Sequence, residues 1–258
     1  MISLQGKTVC ITGASSGIGA ACAEEFAKFG CNLMLLARRQ DKVESLAHRL
    51  SAAHSIKTFT AQLDVRKQKD VEQFFSWLPE EWKTIDILVN NAGLARGLSK
   101  LHEGRVDDWD EMIDTNVKGL LYVTRSVLPA MIERNAGHVI NIGSIAGSQT
   151  YPMGNVYSAT KFAVVGLSRS LKMDLLGTAV RVSSVDPGLV ETEFSQVRFH
   201  GDTARASKTY EGMTPLTPYD VAEAVIFCAT RPAHVSIQEV VLTPTDQASV
   251  TMVNRRTY

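Results

Sequence analysis

The run Thr8-Val9-Cys10-Ile11-Thr12-Gly13-Ala14-Ser15-Ser16-Gly17-Ile18-Gly19 decides the fold. Its first half is short, apolar and partly β-branched, as a strand covered on both faces must be. Its second half sets three glycines at a turn, and residues 17–29 continue with the spacing of an amphipathic helix. A strand that empties through such a turn into a helix gathers bare N–H groups and the positive end of the helix dipole at one point. That point suits a pyrophosphate, so Gly13, Ser15, Ser16, Gly17, Ile18 and Gly19 are expected cofactor contacts.

The same alternation recurs outward from this run. Strands are expected at 7–11, 31–37, 56–63, 85–90, 138–142, 179–185 and 239–242, and helices at 17–29, 42–53, 69–78, 109–134, 156–176 and 218–229. This predicts an α/β fold: a Rossmann-type, doubly wound parallel sheet of seven strands in a single domain over 1–258. Strand order does not follow from the pattern. Pro129 is expected to kink or break the helix at 109–134. Residues 191–219, with Gly201, Gly212, Pro215 and Pro218, interrupt the alternation and are expected to form a substrate loop.

Composition narrows the partners. The 258 residues carry 27 basic and 27 acidic side chains, and 45% are hydrophobic. A net charge of zero gives no reason to expect nucleic acid or an anionic membrane as a partner. No targeting segment and no membrane-length apolar run is seen, so the expected compartment is cytoplasmic. Cys10, Cys22, Cys31 and Cys228 lack paired spacing and read as small core residues, and the six histidines show no zinc-ligand pattern, so no metal is expected.

The end of the second strand chooses the cofactor. An acid there would bond the ribose 2′-hydroxyl of NAD, but this chain reads Leu35-Leu36-Ala37-Arg38-Arg39. Guanidinium groups match a 2′-phosphate, so the pair predicts NADP. Three further polar segments fall where strands or their loops give out: Val89-Asn90-Asn91-Ala92-Gly93, Asn141-Ile142-Gly143-Ser144, and Tyr157-Ser158-Ala159-Thr160-Lys161. All should meet on the rim of the glycine loop. Tyr157 and Lys161 share a helix face, and a neighbouring ammonium is expected to bring the Tyr157 phenol down toward the working range. Ser144 would hold the substrate oxygen while Tyr157 gives or takes its proton.

Together, TGxxxGIG, NNAG, Ser144 and YxxxK resemble the short-chain dehydrogenase/reductase superfamily over essentially the whole chain. The resemblance implies hydride transfer at a nicotinamide and a catalytic set of Asn116, Ser144, Tyr157 and Lys161. Asn116 matches the position that holds a relay water, and Lys161 also the one that bonds the nicotinamide ribose. Asp64 and Val65 match the adenine contact, and Asn91 and Gly93 the cofactor floor. Pro187, Gly188, Val190 and Thr192 match the segment that holds the carboxamide. Superfamily members of this size imply a homotetramer built on the helices at 109–134 and 156–176.

Residues 188–199, Gly201-Asp202 and Pro244-Thr245-Asp246-Gln247 are similar to the NADP-dependent 3-hydroxy acid dehydrogenases, the serine and allo-threonine dehydrogenase group. A carboxylate two carbons from the reacting carbon needs a cation, and Arg198 on the substrate loop is the candidate, with Arg205 and Lys208 in reserve. A broad NADPH carbonyl or sulfoacetaldehyde reductase is the alternative enzyme. A silent NADPH-binding regulator is a different class, opposed by the presence of every proton-handling residue. The role of the tail at 249–258 stays open.

Overall fold

The computed structural model describes residues 2–256. Its sheet has seven parallel strands in the order β3-β2-β1-β4-β5-β6-β7. In chain order these are β1 (Thr8–Thr12), β2 (Asn32–Ala37), β3 (Thr58–Gln62), β4 (Ile87–Asn90), β5 (Gly137–Ile142), β6 (Val180–Pro187) and β7 (Glu239–Leu242). The helices are α1 (Gly17–Lys28), α2 (Gln40–His54), α3 (Gln68–Ser76), α4 (Val106–Ile113), α5 (Leu120–Glu133), α6 (Asn155–Asp174), α7 (Phe194–Arg198), α8 (Thr203–Ser207) and α9 (Pro218–Ala229).

The period-2 pleat splits the core into two layers. Val9, Ile11, Leu33, Leu35, Ile87, Val89 and Ile140 face Phe26, Val43, Val221 and Val225 on one side. Cys10, Met34, Leu36, Leu88 and Val139 face Val71, Trp82, Val123, Val127 and Met131 on the other. All four cysteines are buried and unpaired, and burial pushes their thiols up, Cys228 to about 11. The chain reverses its direction of winding between β1 and β4, and a cleft opens there beyond the strand ends.

Two expectations change. The stretch at 109–134 is broken at a six-residue π-helical turn, Asp114–Gly119, between α4 and α5, and not at Pro129. Pro129 and Arg125, whose carbonyl it deprives of a partner, both lie on the exposed face of α5, where water can serve that carbonyl. Packing of Val123, Val127 and Met131 on the opposite face keeps the helix going. The interruption at 191–219 is not irregular throughout, since it folds into α7 and α8 before α9 begins at a Thr217–Asp220 capping box.

The tail folds back on this same segment. Arg255 donates to the carbonyls of Thr209 and Glu211, and the Arg256 N–H to that of Gly212 at 2.7 Å. Thr257 and Tyr258 lie outside the described residues.

Candidate active site

A cleft of about 780 Å³ runs from Arg38, Arg39 and Asp64 past the glycine loop to Ser144, Tyr157 and Lys161. Its rim is made where β1, β2, β4, β5 and β6 end. The glycine loop is stitched to β4 by Asn91, whose Nδ2 donates to the carbonyls of Thr12 (2.9 Å) and Gly13 (3.1 Å). A Cβ on Gly19 would stand 2.5 Å from that same Nδ2, so only glycine lets the helix start come this close. Asn90 points away from the cleft and ties β4 to Thr124 and Asn141 inside the core.

At the adenosine end, the two arginines take different partners. The Arg39 Nε and Nη2 reach the Ser15 hydroxyl (3.2 and 3.1 Å), and Nη2 reaches the Ser16 hydroxyl (2.7 Å). Arg38 leans on Glu111 of α4 at 3.6 Å, and Glu111 also binds Arg66 and Arg96. Asp64 accepts a forked pair from Arg66. Burial pushes the Asp64 carboxyl up, but the Arg66 bonds and charge outweigh it and hold the group below the usual range. One guanidinium with two hydroxyls, beside a glycine cradle, fits a phosphorylated dinucleotide in charge and donor chemistry.

At the other end, Ser144 caps a short turn and its Oγ accepts from the Ala146 N–H at 3.1 Å. Its own N–H donates to Asp186 Oδ1, which also accepts from Ser184 Oγ. A Cβ on Gly143 would fall 1.7 Å from that oxygen, so a side chain there would expel the carboxylate. Burial pushes Asp186 up to about 6.

Tyr157 sits on α6 beside Ser144 and edge-on to Phe194 of α7, ring centroids 5.6 Å apart. Lys161 Nζ is buried, donates to the Ile142 carbonyl at 2.9 Å, and lies 6.0 Å from the Tyr157 ring centre. Burial pushes Lys161 down to about 8, against the pull of Asp186. The expected lowering of Tyr157 is not what the protein alone produces. Burial, with Tyr151 adding to it, holds the phenol above its ordinary value, although Ser144 and Arg198 act the other way.

Asn116 lies behind the cleft and not in it. The π turn aims its amide at the Leu94 backbone, accepting from N–H at 2.9 Å and donating to C=O at 2.8 Å, and Nδ2 also reaches Thr160 Oγ1. Both hydrogens of the amide are thus committed, and Oδ1 keeps one lone pair beyond its bond to Leu94.

Val65, Gly93, Pro187, Gly188, Val190 and Thr192 all line the cleft, as do Gly13, Ser15, Ser16, Gly17 and Ile18. Gln247, from the Pro-Thr-Asp-Gln segment, accepts from the Leu189 N–H and so fixes the Pro187–Thr192 turn from behind.

Arg198 is in the cleft, and the reserves are not. Its Nη2 donates to the Tyr151 hydroxyl at 2.7 Å, its Nε to the Gly97 carbonyl at 3.1 Å, and its Cζ stands 5.7 Å from the Tyr157 ring centre. Arg205 stacks on Phe199 beside a neighbouring hollow, and Lys208 is exposed away from the cleft. Tyr151, Asp186, Glu193 and Gln247 are site residues that motif reading does not assign. Glu193 and Gln247 had a sequence cue only in lying within the two stretches, 188–199 and 244–247, that are similar to the 3-hydroxy acid dehydrogenases.

Among the described residues, His, Cys, Asp and Glu nowhere gather into a metal-binding group, and no helix is long and apolar enough to cross a membrane.

A parallel sheet of this order, opening on a cleft with a phosphate cradle at one end and a Ser–Tyr–Lys cluster at the other, defines a nicotinamide-dependent oxidoreductase. A family profile described as short chain dehydrogenase matches residues 7–202, and the chain belongs to that family. It is 51% identical over 241 residues to the NADP-dependent 3-hydroxy acid dehydrogenase YdfG of Salmonella typhi, covering 93% of this chain and 96% of the relative. It is 45% identical to sulfoacetaldehyde reductase 2 of Chromohalobacter salexigens, covering 93% and 95%. A solved structure, the closed form of serine dehydrogenase complexed with NADP+, superposes with a TM-score of 0.91 at 48% identity, covering 97% of this chain and 100% of that one. The protein is an NADP-dependent oxidoreductase acting on CH–OH groups.

Proposed function

We propose that the substrate is a short 3-hydroxy acid of the serine, allo-threonine or 3-hydroxypropionate type, interconverted with its carbonyl form. The observation that carries this is the place of Arg198. Its guanidinium stands 5.7 Å from the ring that bears the reacting phenol, held by Tyr151 and the Gly97 carbonyl. A carboxylate two carbons from the reacting carbon reaches such a cation while its hydroxyl lies against Tyr157. The 3-hydroxy acid dehydrogenases that the chain resembles are NADP-dependent by name, which agrees.

NADP supplies or takes the hydride when bound. The chain's own residues do the rest. Arg39, Ser15 and Ser16 hold the 2′-phosphate, with Arg38, Asp64 and Val65 around the adenosine. The loop of Gly13, Gly17, Ile18 and Gly19 takes the pyrophosphate, Asn91 and Gly93 form the floor, and Pro187, Gly188, Val190 and Thr192 hold the nicotinamide side. Ser144 holds the substrate oxygen by its hydroxyl, and Tyr157 passes the proton at its phenol oxygen. Lys161, whose ammonium is lost above about pH 8, favours the phenolate by its charge. Asn116 would hold the water of the proton relay through Lys161, while its amide ties the Leu94 backbone to Thr160 of α6.

The segment at 191–219 acts as the substrate loop, since α7 brings Phe194 and Arg198 to Tyr157. Exposed Leu121 and Ile132 on α5, with Phe162 and Met173 on α6, support a homotetramer joined by these helices. The cytosol, rich in NADPH, favours the reductive direction.

The test is a coenzyme-consumption panel. Malonic semialdehyde and sulfoacetaldehyde should be reduced in preference to methylglyoxal and a neutral diketone, with L-serine and L-allo-threonine oxidised in reverse. Preference for the neutral carbonyls would overturn the substrate class. Preference for sulfoacetaldehyde over the carboxylates would make the protein a sulfonate aldehyde reductase.

A further inference from the structure

The donors read above as a 2′-phosphate cradle already hold an anion of the chain's own. Glu193, the residue before α7, places Oε2 2.9 Å from Arg39 Nη2, the nitrogen that also reaches the Ser15 and Ser16 hydroxyls. The Arg39 bond, against the opposing effect of burial, keeps this carboxyl below its usual range, with Lys42 the other cation nearby. It is therefore ionised at neutral pH.

Arg38 stands apart from this contact and leans on Glu111 at 3.6 Å. A carboxylate and a phosphate dianion cannot share one guanidinium edge without strong repulsion. The contact is also displaceable, since the Arg39 and Glu193 side chains keep 43% and 46% of their surface exposed, and ion pairs this open are weak.

We propose that Glu193 is an internal occupant of the 2′-phosphate cradle, displaced by NADP(H) and left in place by cofactors with a bare 2′-hydroxyl. The inference rests on the assignment of Arg39, Ser15 and Ser16 to that phosphate. Its consequence reaches the substrate end. Glu193 opens the short helix that carries Phe194 and Arg198, so a ligand at the adenosine end unties the segment that faces Tyr157.

Titration calorimetry with adenosine 2′,5′-bisphosphate and with 5′-AMP tests it on the intact protein. Glu193→Gln should bind the bisphosphate about three- to tenfold more tightly than wild type, with 5′-AMP changed less than twofold. Glu191→Gln removes the same charge two residues away and should leave both affinities unchanged. Hydrogen exchange gives a second readout: the bisphosphate should speed exchange at 193–199 in wild type and have no such effect in Glu193→Gln. Unchanged or weaker bisphosphate binding in Glu193→Gln, or equal tightening in Glu191→Gln, overturns the proposal. Arg39→Leu separates the two assumptions. If that variant still prefers the 2′-phosphate, the cradle assignment itself has failed. If it loses the preference while Glu193→Gln behaves as wild type, only the displacement has failed.

Discussion

Replacing Arg198 with methionine keeps an unbranched apolar stem, two atoms shorter, and removes the charge. Two of the guanidinium's bonds are already committed, Nε to Gly97 and Nη2 to Tyr151, and a carboxylate would add bonds at the remaining donors. A charge-assisted bond in a half-buried site contributes about 1.5–3 kcal/mol. Losing one such bond or a pair should therefore cost about 2–4 kcal/mol, a factor of about 30 to 1000 in kcat/KM for an acidic aldehyde. The substitution has collateral effects, because it frees the Gly97 carbonyl, removes the contact with the Tyr157 ring, and takes away a charge that draws the phenol downward. Those losses fall on every substrate alike, so the informative quantity is a ratio. Steady-state kinetics with malonic semialdehyde and a neutral diketone should show the first falling at least tenfold further than the second, mostly through KM. Equal losses on both substrates would refute the role given to Arg198.

Tyr157→Phe should lower kcat by about 10²–10⁴, the usual worth of a positioned proton donor, while NADPH affinity measured by fluorescence stays within about twofold of wild type. Turnover surviving that change would sink the proton assignment. A third prediction concerns acid stability. His138 is buried on β5, its Nε2 bonded to a Ser183 hydroxyl that itself donates to the Ile237 carbonyl, and burial pushes it down to about 3, with Arg181 adding to this. A histidine kept neutral in the fold lets the unfolded chain take up more protons below its ordinary value of about 6.5. The fold therefore loses about 1.4 kcal/mol per pH unit as pH falls from there toward 3. Asp186, raised by burial, acts in the opposite sense between about 6 and its unfolded value. The comparison is thus made between wild type and His138→Leu, where Asp186 cancels. Urea unfolding at pH 7.0 and 4.5 should show the difference between the two proteins shifting by about 2–3 kcal/mol in favour of the variant at the lower pH. A constant difference would mean that His138 titrates normally.

The sheet, the glycine loop and the Tyr157–Lys161 face were legible because each is a local regularity: short apolar runs between helical patterns, a turn composition, a spacing of four. Strand order was not, since β1 pairs with both β2 and β4 through contacts that leave no mark on local pattern. Pro129 misled for a related reason. Its local cost is real, but the apolar stripe of α5 and an exposed Arg125 carbonyl outweigh or relieve it. The sign of the Tyr157 shift was missed because a spacing gives the nearest cation and says nothing about burial. Tyr151 and Glu193 depend on how α7 lies across the cleft, so no motif announces them. Arg198 was legible only through subfamily resemblance and substrate charge; its Cζ stands 5.7 Å from the Tyr157 ring centre.

The π turn at Asp114–Gly119 makes the chain's numbering matter here in an unusual way. A π turn holds one residue more than the α-helical path it replaces, so it behaves as an insertion absorbed without a loop. Deleting a single residue there would let the helix close up as regular α with α4 and α5 still in register, so Val123, Val127 and Met131 would keep the core face. What would be lost is the turn that aims the Asn116 amide at the Leu94 backbone. The fold should thus survive the loss of one residue here more readily than in the regular turns of α5, where a deletion would rotate everything beyond it by about 100°.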